Sequence, residues 1–138
     1  MPEVPGRNPS AEKEFRALCS TLHLDAPVVR RFIGDYLRLL QFRLDRIDRD
    51  LRNGDVPSAV VGLLSLATSS AMLGVDDVAG AADELRRQAA AGDLAAVSEG
   101  QLALVQRAQA AELRLIRMEA VDPRTGRPAG QADHGRTA

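Results

Sequence analysis

The sequence predicts an all-α protein: an antiparallel up-down four-helix bundle with an additional short helix at its N-terminal end. Apolar residues recur at steps of three and four along most of the chain, which is the period of one helix face. No stretch alternates apolar and polar residues as a half-buried strand does. The segments are joined by only a few residues, so consecutive helices are expected to be antiparallel neighbours.

The predicted bundle domain covers residues 10–119. A chain of 138 residues is of the size of one domain. The flanking segments, 1–9 and 120–138, are rich in proline, glycine and polar residues and lack an apolar period, so they are expected to be disordered.

The first predicted helix covers roughly residues 11–23, with Ser10 as its N-cap. One of its faces carries Phe15, Leu18, Cys19 and Leu22. The second covers roughly residues 26–52, is capped by Asp25 and ends at Asn53-Gly54. Its apolar stripe consists of Val29, Phe32, Ile33, Tyr36, Leu40, Leu44, Ile47 and Leu51. Its arginines and aspartates, Arg43 among them, are assigned to a solvated face.

The third predicted helix covers roughly residues 57–73 and lies within the run Val56–Val75, which has no charged side chain. Asp55 is expected to cap it and Gly74 to end it. Its inward face is predicted to hold Ala59, Leu63, Leu66, Ser70 and Leu73. The run contains proline, glycine, serine and threonine and has no aromatic belt, so a membrane span is not expected.

The fourth and fifth helices are predicted over roughly residues 77–91 and 94–120, separated by Gly92 and by Asp93 as the second cap. The inward residues of the fourth are Val78, Ala79, Ala82, Leu85 and Ala89. Those of the fifth are Leu94, Val97, Gln101, Leu104, Val105, Ala108, Leu115 and Met118.

Composition argues against several classes of partner. The formal net charge is −1 and the aromatic content 3%, so neither an electrostatic pull toward nucleic acid nor a base-stacking surface is expected. Cys19 is the single cysteine, and the first residues include no apolar signal stretch, which favours the cytoplasm. One cysteine and two distant histidines, His23 and His134, give no cluster for a metal, and no cofactor is indicated.

The side of the third helix opposite its predicted core also has no charge. We call it the Leu64 face, and it consists of Val60, Leu64, Ala67, Thr68 and Ala71. A helix that is apolar all round is usually covered all round. The first helix could cover this face, a second chain could cover it, or it could be an exposed patch that binds a partner.

The stretch from Leu64 to Gly74, LSLATSSAMLG, resembles the signature of histidine phosphotransfer (HPt) domains, which runs roughly H-x-L-K-G-S-x-x-x-L-G. The matching residues are Leu66, Ser69, Leu73 and Gly74. The following helix also resembles the next segment of the family, an amphipathic helix that ends in Gly-Asp. The resemblance covers roughly residues 20–118 and implies a four-helix bundle whose motif-bearing surface binds receiver domains.

Leu64 stands at the position of the phosphorylated histidine, Ala67 at that of the assisting lysine, and Thr68 at that of the small glycine. Phosphoryl relay needs a nucleophilic imidazole and benefits from a nearby cation. The nearby hydroxyls, Ser65, Thr68, Ser69 and Ser70, have no general base at helical spacing and are expected to bond carbonyl groups four residues back. We therefore expect no catalytic residue and no enzyme activity.

The predicted function is that of a non-catalytic pseudo-phosphotransfer module in, or derived from, bacterial two-component phosphorelay signalling. It would bind a response-regulator receiver domain, a histidine kinase or a second copy of the chain, as a homodimer, through the Leu64 face. The alternative is a structural homo-oligomer in which helix 56–74 forms the seam and no phosphorelay role exists.

Overall fold

The computed structural model describes residues 9–121, and this part of the chain contains five α-helices and no strand. The helices are α1 (Pro9–Leu22), α2 (Ala26–Arg52), α3 (Val56–Met72), α4 (Asp76–Ala91) and α5 (Leu94–Glu119). The predicted all-α class is confirmed. The predicted ends of the bundle domain stay predictions, since residues 1–8 and 122–138 lie outside the described part of the chain.

Contacts divide the described residues into two units, one formed by residues 9–35 and 114–121 and the other by residues 36–113. Helices α2 and α5 contribute to both units, whereas α3 and α4 belong wholly to the second. The Leu64 face therefore lies in the second unit, which we call the α3 unit.

A left-handed residue ends each of the first four helices. These residues are His23, Gly54, Gly74 and Gly92, with φ between 57° and 75°. After each of them the next amide donates a hydrogen bond to the carbonyl group five residues back; Val75 N, for example, lies 2.8 Å from Ser70 O. This pattern is the Schellman motif, which satisfies carbonyl groups that the end of a helix leaves unpaired.

Two of the residues that follow these turns also cap the start of the next helix. Asp55 accepts a hydrogen bond from Ser58 N at 3.2 Å, and Asp93 accepts one from Ala96 N at 3.1 Å. Both predicted caps are confirmed, and the connections are short because one residue serves both helices. The prediction that Ser10 caps the first helix is wrong, since α1 begins at Pro9 and Ser10 is its second residue.

Within the α3 unit, α2 packs against α3 through a buried polar bond and a close approach. Tyr36 Oη lies 2.7 Å from Ser70 Oγ, and Ser70 has no exposed surface. Farther along, a β-carbon at Gly62 would lie 3.2 Å from Ile47 Cγ1, so the helices meet closely there. The residue number falls along α3 as it rises along α2, so the two helices run antiparallel.

Three further pairs of helices in this unit are also in contact. α3 packs along α4. α5 lies against α4 where Gly100 meets the side chains of Leu85 and Gln88. It lies against α2 where Gln101 Nε2 donates to Asp48 Oδ1 at 2.6 Å. Each of the four helical segments in this unit thus touches two others.

The predicted inward residues of α3 are all buried, and most of the predicted α2 stripe is as well. Two predictions are wrong: Leu94 is 79% exposed at the start of α5, and Phe32 is 37% exposed. Leu94 is the first helical residue, so it lies beyond the last packed turn. Others predicted inward are only half-buried: Leu44, Leu51, Ala79, Val97, Gln101 and Val105. On the predicted apolar face of the first helix, Cys19 and Leu22 are also half-buried. Buried residues that were not predicted include Val75, Ala81, Ala111 and Val121.

In the other unit, α1, the start of α2 and the end of α5 supply the buried side chains Ala11, Phe15, Leu18, Val29, Ile33, Leu115 and Met118. Arg30 Nε donates to the carbonyl oxygen of Glu119 at 2.8 Å, which ties α2 to the end of α5. Arg114 and Glu14 approach to 4.0 Å across α5 and α1. Both of these last side chains are more than 40% exposed, so their pairing contributes little to stability.

Gly74→Ala should lower the free energy of unfolding by about 1–2 kcal/mol, because the added β-carbon is strained at φ 71°. Gly80 in α4 offers a matched control: it is helical, has open space around it, and Gly80→Ala should stabilise by about 0.5–1 kcal/mol. Urea unfolding of both variants measures the difference. Equal effects would contradict the assignment of strain to the left-handed turn.

Tyr36→Phe should lower the free energy of unfolding by about 1–2 kcal/mol, because it removes the cross-helix partner of the fully buried Ser70 hydroxyl. A double-mutant cycle with Ser70→Ala should give a coupling energy of about 1 kcal/mol. Additive single effects would show that the bond between α2 and α3 contributes nothing.

Candidate docking surface

The Leu64 face lies on the solvent side of α3. Leu64 is 50% exposed, Thr68 and Ala71 are exposed, and Val60 and Ala67 are half-buried. The buried residues of α3 lie on its other side, so the helix has a packed side and a free side although both are uncharged. In the single chain, half of the Leu64 side chain is open to solvent, so the first helix does not fully cover it. Coverage by a second chain and an exposed patch that binds a partner are the alternatives left.

Two apolar residues that were not predicted adjoin the Leu64 face. Val61 is 66% exposed and Met72 is 56% exposed. With Leu64 and Thr68 they follow steps of three and four, so they share the outer side of the helix. The sequence carries this signal, since both residues lie opposite the buried Leu66 in helical phase. The exposed apolar surface is therefore longer than the five predicted residues.

The hydroxyl groups near this face are occupied by hydrogen bonds. Thr68 Oγ1 donates to Leu64 O and Ser69 Oγ to Ser65 O, each at 2.9 Å, as predicted for helical hydroxyls. Ser70 differs from the prediction, since it bonds Tyr36 across the helix interface. None of these hydrogen-bond partners is a carboxylate or an imidazole that could act as a general base.

Arg43 is the residue of this surface that the sequence analysis missed. Its Nη1 donates to Ser69 Oγ at 2.9 Å, which brings a guanidinium from α2 to α3. The side chain is half-buried rather than solvated, contrary to the prediction. The helical period could have indicated this, because Arg43 lies three residues after Leu40 and four before Ile47, both buried.

Leu64, not a histidine, stands where the motif resemblance expects an imidazole. His23 is exposed at the end of α1, as expected for a helix-terminal histidine, and it belongs to the other unit. His134 lies outside the described residues. Burial raises the pKa of the Cys19 thiol, so this side chain carries little thiolate near neutral pH.

Arg86 and Arg87 of α4 are engaged within their own helix. Arg86 donates to Asp83 Oδ1 from Nε at 3.0 Å and from Nη2 at 2.8 Å. Arg87 bonds both Asp83 and Glu84. The hydrogen bond from Arg86 lowers the pKa of Asp83, and the bond to Glu84 raises the pKa of Arg87. This pattern is that of a solvated helix face with local ion pairs, as predicted.

A groove of about 230 Å³ lies between α2 and α5 within the α3 unit. Its apolar lining includes Leu40, Leu44, Leu104 and Val105, and its polar lining Gln41, Asp45, Asp48, Gln101, Gln109 and Glu112. Two of the carboxylates are already bonded: Asp45 accepts from Gln41, and Asp48 accepts from Gln101 and pairs with Arg52. The lining of the groove includes no serine, threonine, cysteine or histidine and no cationic residue.

Within residues 9–121, no helix combines the length and the apolar content that crossing a bilayer requires. Over the same residues, no three histidine, cysteine or acidic side chains are grouped so that they could hold a metal ion.

In comparisons with known proteins, no protein-family model, curated protein or solved structure matches this chain. The function must therefore be argued from the surface itself.

Arg86→Gln should raise the pKa of Asp83 toward the ordinary aspartate value, because the carboxylate loses its strongest hydrogen bond. The lowered pKa means that the ionised Asp83 stabilises the fold above its unfolded pKa. This contribution is lost as the pH falls through the folded pKa. An NMR titration of the carboxyl carbon measures the shift, with Arg107→Gln as a control on α5. An unchanged Asp83 pKa would contradict the role of Arg86.

Proposed function

We propose that this chain is a non-catalytic pseudo-histidine-phosphotransfer module. It docks a receiver domain or a histidine kinase in cytoplasmic two-component phosphorelay signalling, or in a pathway derived from it. The proposal rests above all on Leu64, which is half exposed at the position where the motif resemblance expects a phosphorylatable histidine. The uncharged helix side around it is suited to binding another protein.

The proposed scaffold is an antiparallel up-down four-helix bundle of the HPt type. Its support is the set of contacts in the α3 unit: α2 meets α3 at Tyr36 and Ser70, α3 packs along α4, and α5 meets both α4 and α2. Contacts in this cyclic order are those of a bundle in which each helix has two neighbours. The short turns after Gly74 and Gly92 favour antiparallel neighbours.

The proposed lack of relay activity follows from the chemistry of the side chains. Phosphoryl transfer from an aspartyl phosphate needs a lone pair on the acceptor, which Leu64 does not have. Ala67 offers no charge to compensate the transferring group. The hydroxyl groups of Thr68 and Ser69 donate to carbonyl oxygens on their own helix and have no base beside them.

The same substitution adds binding surface. Burying a leucine side chain is favourable by roughly 1.5–3 kcal/mol, and about half of that is still open at Leu64 because half of it is exposed. Val61 and Met72 extend the apolar area that a partner could cover. The second candidate function is a homo-oligomer with helix 56–74 as its seam. It is supported by the same two residues, because Val61 and Met72 extend the exposed apolar surface along most of the helix.

Leu64→Asp should abolish partner binding while the protein stays folded, because a carboxylate would have to be buried at the interface. Wild type and variant are compared by calorimetric titration against a panel of purified receiver domains and kinase cytoplasmic domains. Leu102→Asp is the matched control, since Leu102 is an exposed leucine of α5 in the same unit. Binding that survives Leu64→Asp unchanged would contradict the proposed surface.

Two further measurements separate the proposal from its alternatives. Incubation with a phosphorylated receiver domain should leave the chain free of acid-labile and acid-stable phosphate, and any transfer would overturn the lack of relay activity. Light scattering should give a monomer at all concentrations, whereas a dimer that Leu64→Asp dissociates would favour the homo-oligomer.

A further inference from the structure

The position of Arg43 is fixed by a short chain of hydrogen bonds. Its Nη1 donates to Ser69 Oγ at 2.9 Å, and the same hydroxyl donates to Ser65 O at 2.9 Å. The serine thus uses its proton within α3 and offers its lone pairs to the guanidinium. Arg43 is held against α3 at Ser69, the residue after Thr68 of the Leu64 face.

Most of the hydrogen-bonding capacity of Arg43 is unused. A guanidinium has five N–H donors in a planar fork that matches a carboxylate. One donor bonds Ser69, and no carboxylate of the described chain pairs with the rest. Other arginines differ: Arg52 pairs with Asp48, and Arg86 pairs with Asp83.

Arg43 also supplies positive charge to a surface that has none of its own. The whole of Val56–Val75 is uncharged, and Ala67 stands where the motif resemblance places a lysine. A half-buried cation at the edge of an apolar patch interacts more strongly with an opposite charge than a solvated one does, because the local dielectric is lower.

We propose that Arg43 determines which partner binds, by pairing with a carboxylate of the protein that docks on the Leu64 face. This inference rests on the proposed docking function and specifies the chemistry of the partner: an apolar patch that receives Leu64, with an acidic side chain beside it. Arginine and carboxylate form bidentate, charge-assisted hydrogen bonds that depend on geometry as well as charge.

A second copy of the chain fits this description poorly. In a twofold contact the same surface meets itself, so Arg43 would face the uncharged α3 of the other copy. Charge complementarity therefore favours a different protein.

The test measures affinity for the tightest-binding receiver or kinase domain of the panel described above. Arg43→Glu should weaken binding at least about tenfold, and Arg43→Lys should weaken it less, because lysine keeps the charge and loses the fork. Arg49→Glu is the matched control, an exposed arginine of the same helix with the same charge change, and should alter affinity less than about twofold. Circular dichroism and urea unfolding verify that each variant is folded.

The affinity of a Ser69→Ala variant tests the role of Arg43 independently. The substitution leaves the charge of Arg43 in place but removes the hydroxyl that holds it, so affinity should fall to a level between wild type and Arg43→Glu. Raising the salt concentration should weaken wild-type binding more than Arg43→Glu binding, since the pair contributes only in the wild type.

The possible results separate this inference from the proposed function. If Leu64→Asp abolishes binding while Arg43→Glu behaves like Arg49→Glu, the docking surface stands and the role of Arg43 is refuted. If binding survives Leu64→Asp, or no domain of the panel binds the wild type, the docking function fails and this inference fails with it.

Discussion

The left-handed turns after α2, α3 and α4 are the constraint on which the α3 unit depends. Gly54, Gly74 and Gly92 each adopt a positive φ, and the amide after each closes onto the carbonyl five residues back. Each turn is followed within one or two residues by the next helix, so the chain reverses at once. This short reversal aligns α3 along α4 and leaves no loop to cover its outer side.

The uncharged run forms both the buried side and the exposed side of α3. One side, with Leu63, Leu66 and Ser70, is fully buried, and the Ser70 hydroxyl is satisfied by Tyr36. The other side keeps Leu64 half exposed. This exposed apolar area does not stabilise the isolated chain, and an uncharged patch of this kind is suited to contact with another protein.

In the proposed function, the docking surface would gain specificity from a neighbouring helix rather than from α3 itself. Apolar contacts around Leu64 would provide affinity but discriminate weakly between partners, whereas a positioned charge discriminates strongly, because an unpaired buried charge is costly. Arg43 supplies that charge from α2, and Ser69 fixes its place. The proposed function thus combines an apolar contact on one helix with a cation from the next.

The sequence by itself determined the helices and their ends, because the period of apolar residues, Asp55 and Asp93 as caps, and glycine at left-handed turns are local signals. It also determined the buried side of α3 and the absence of an imidazole at position 64. His23 as a left-handed helix end was missed, since a histidine at such a turn is rarer than a glycine.

Only the tertiary structure decided that the Leu64 side of α3 remains open in the single chain and that Arg43 reaches Ser69. Periodicity assigns a residue to a face of its own helix, but it does not say how closely the neighbouring helix approaches that face. Whether Leu64 is covered, and whether an arginine is solvated or held at an interface, depends on that approach and is therefore a property of packing.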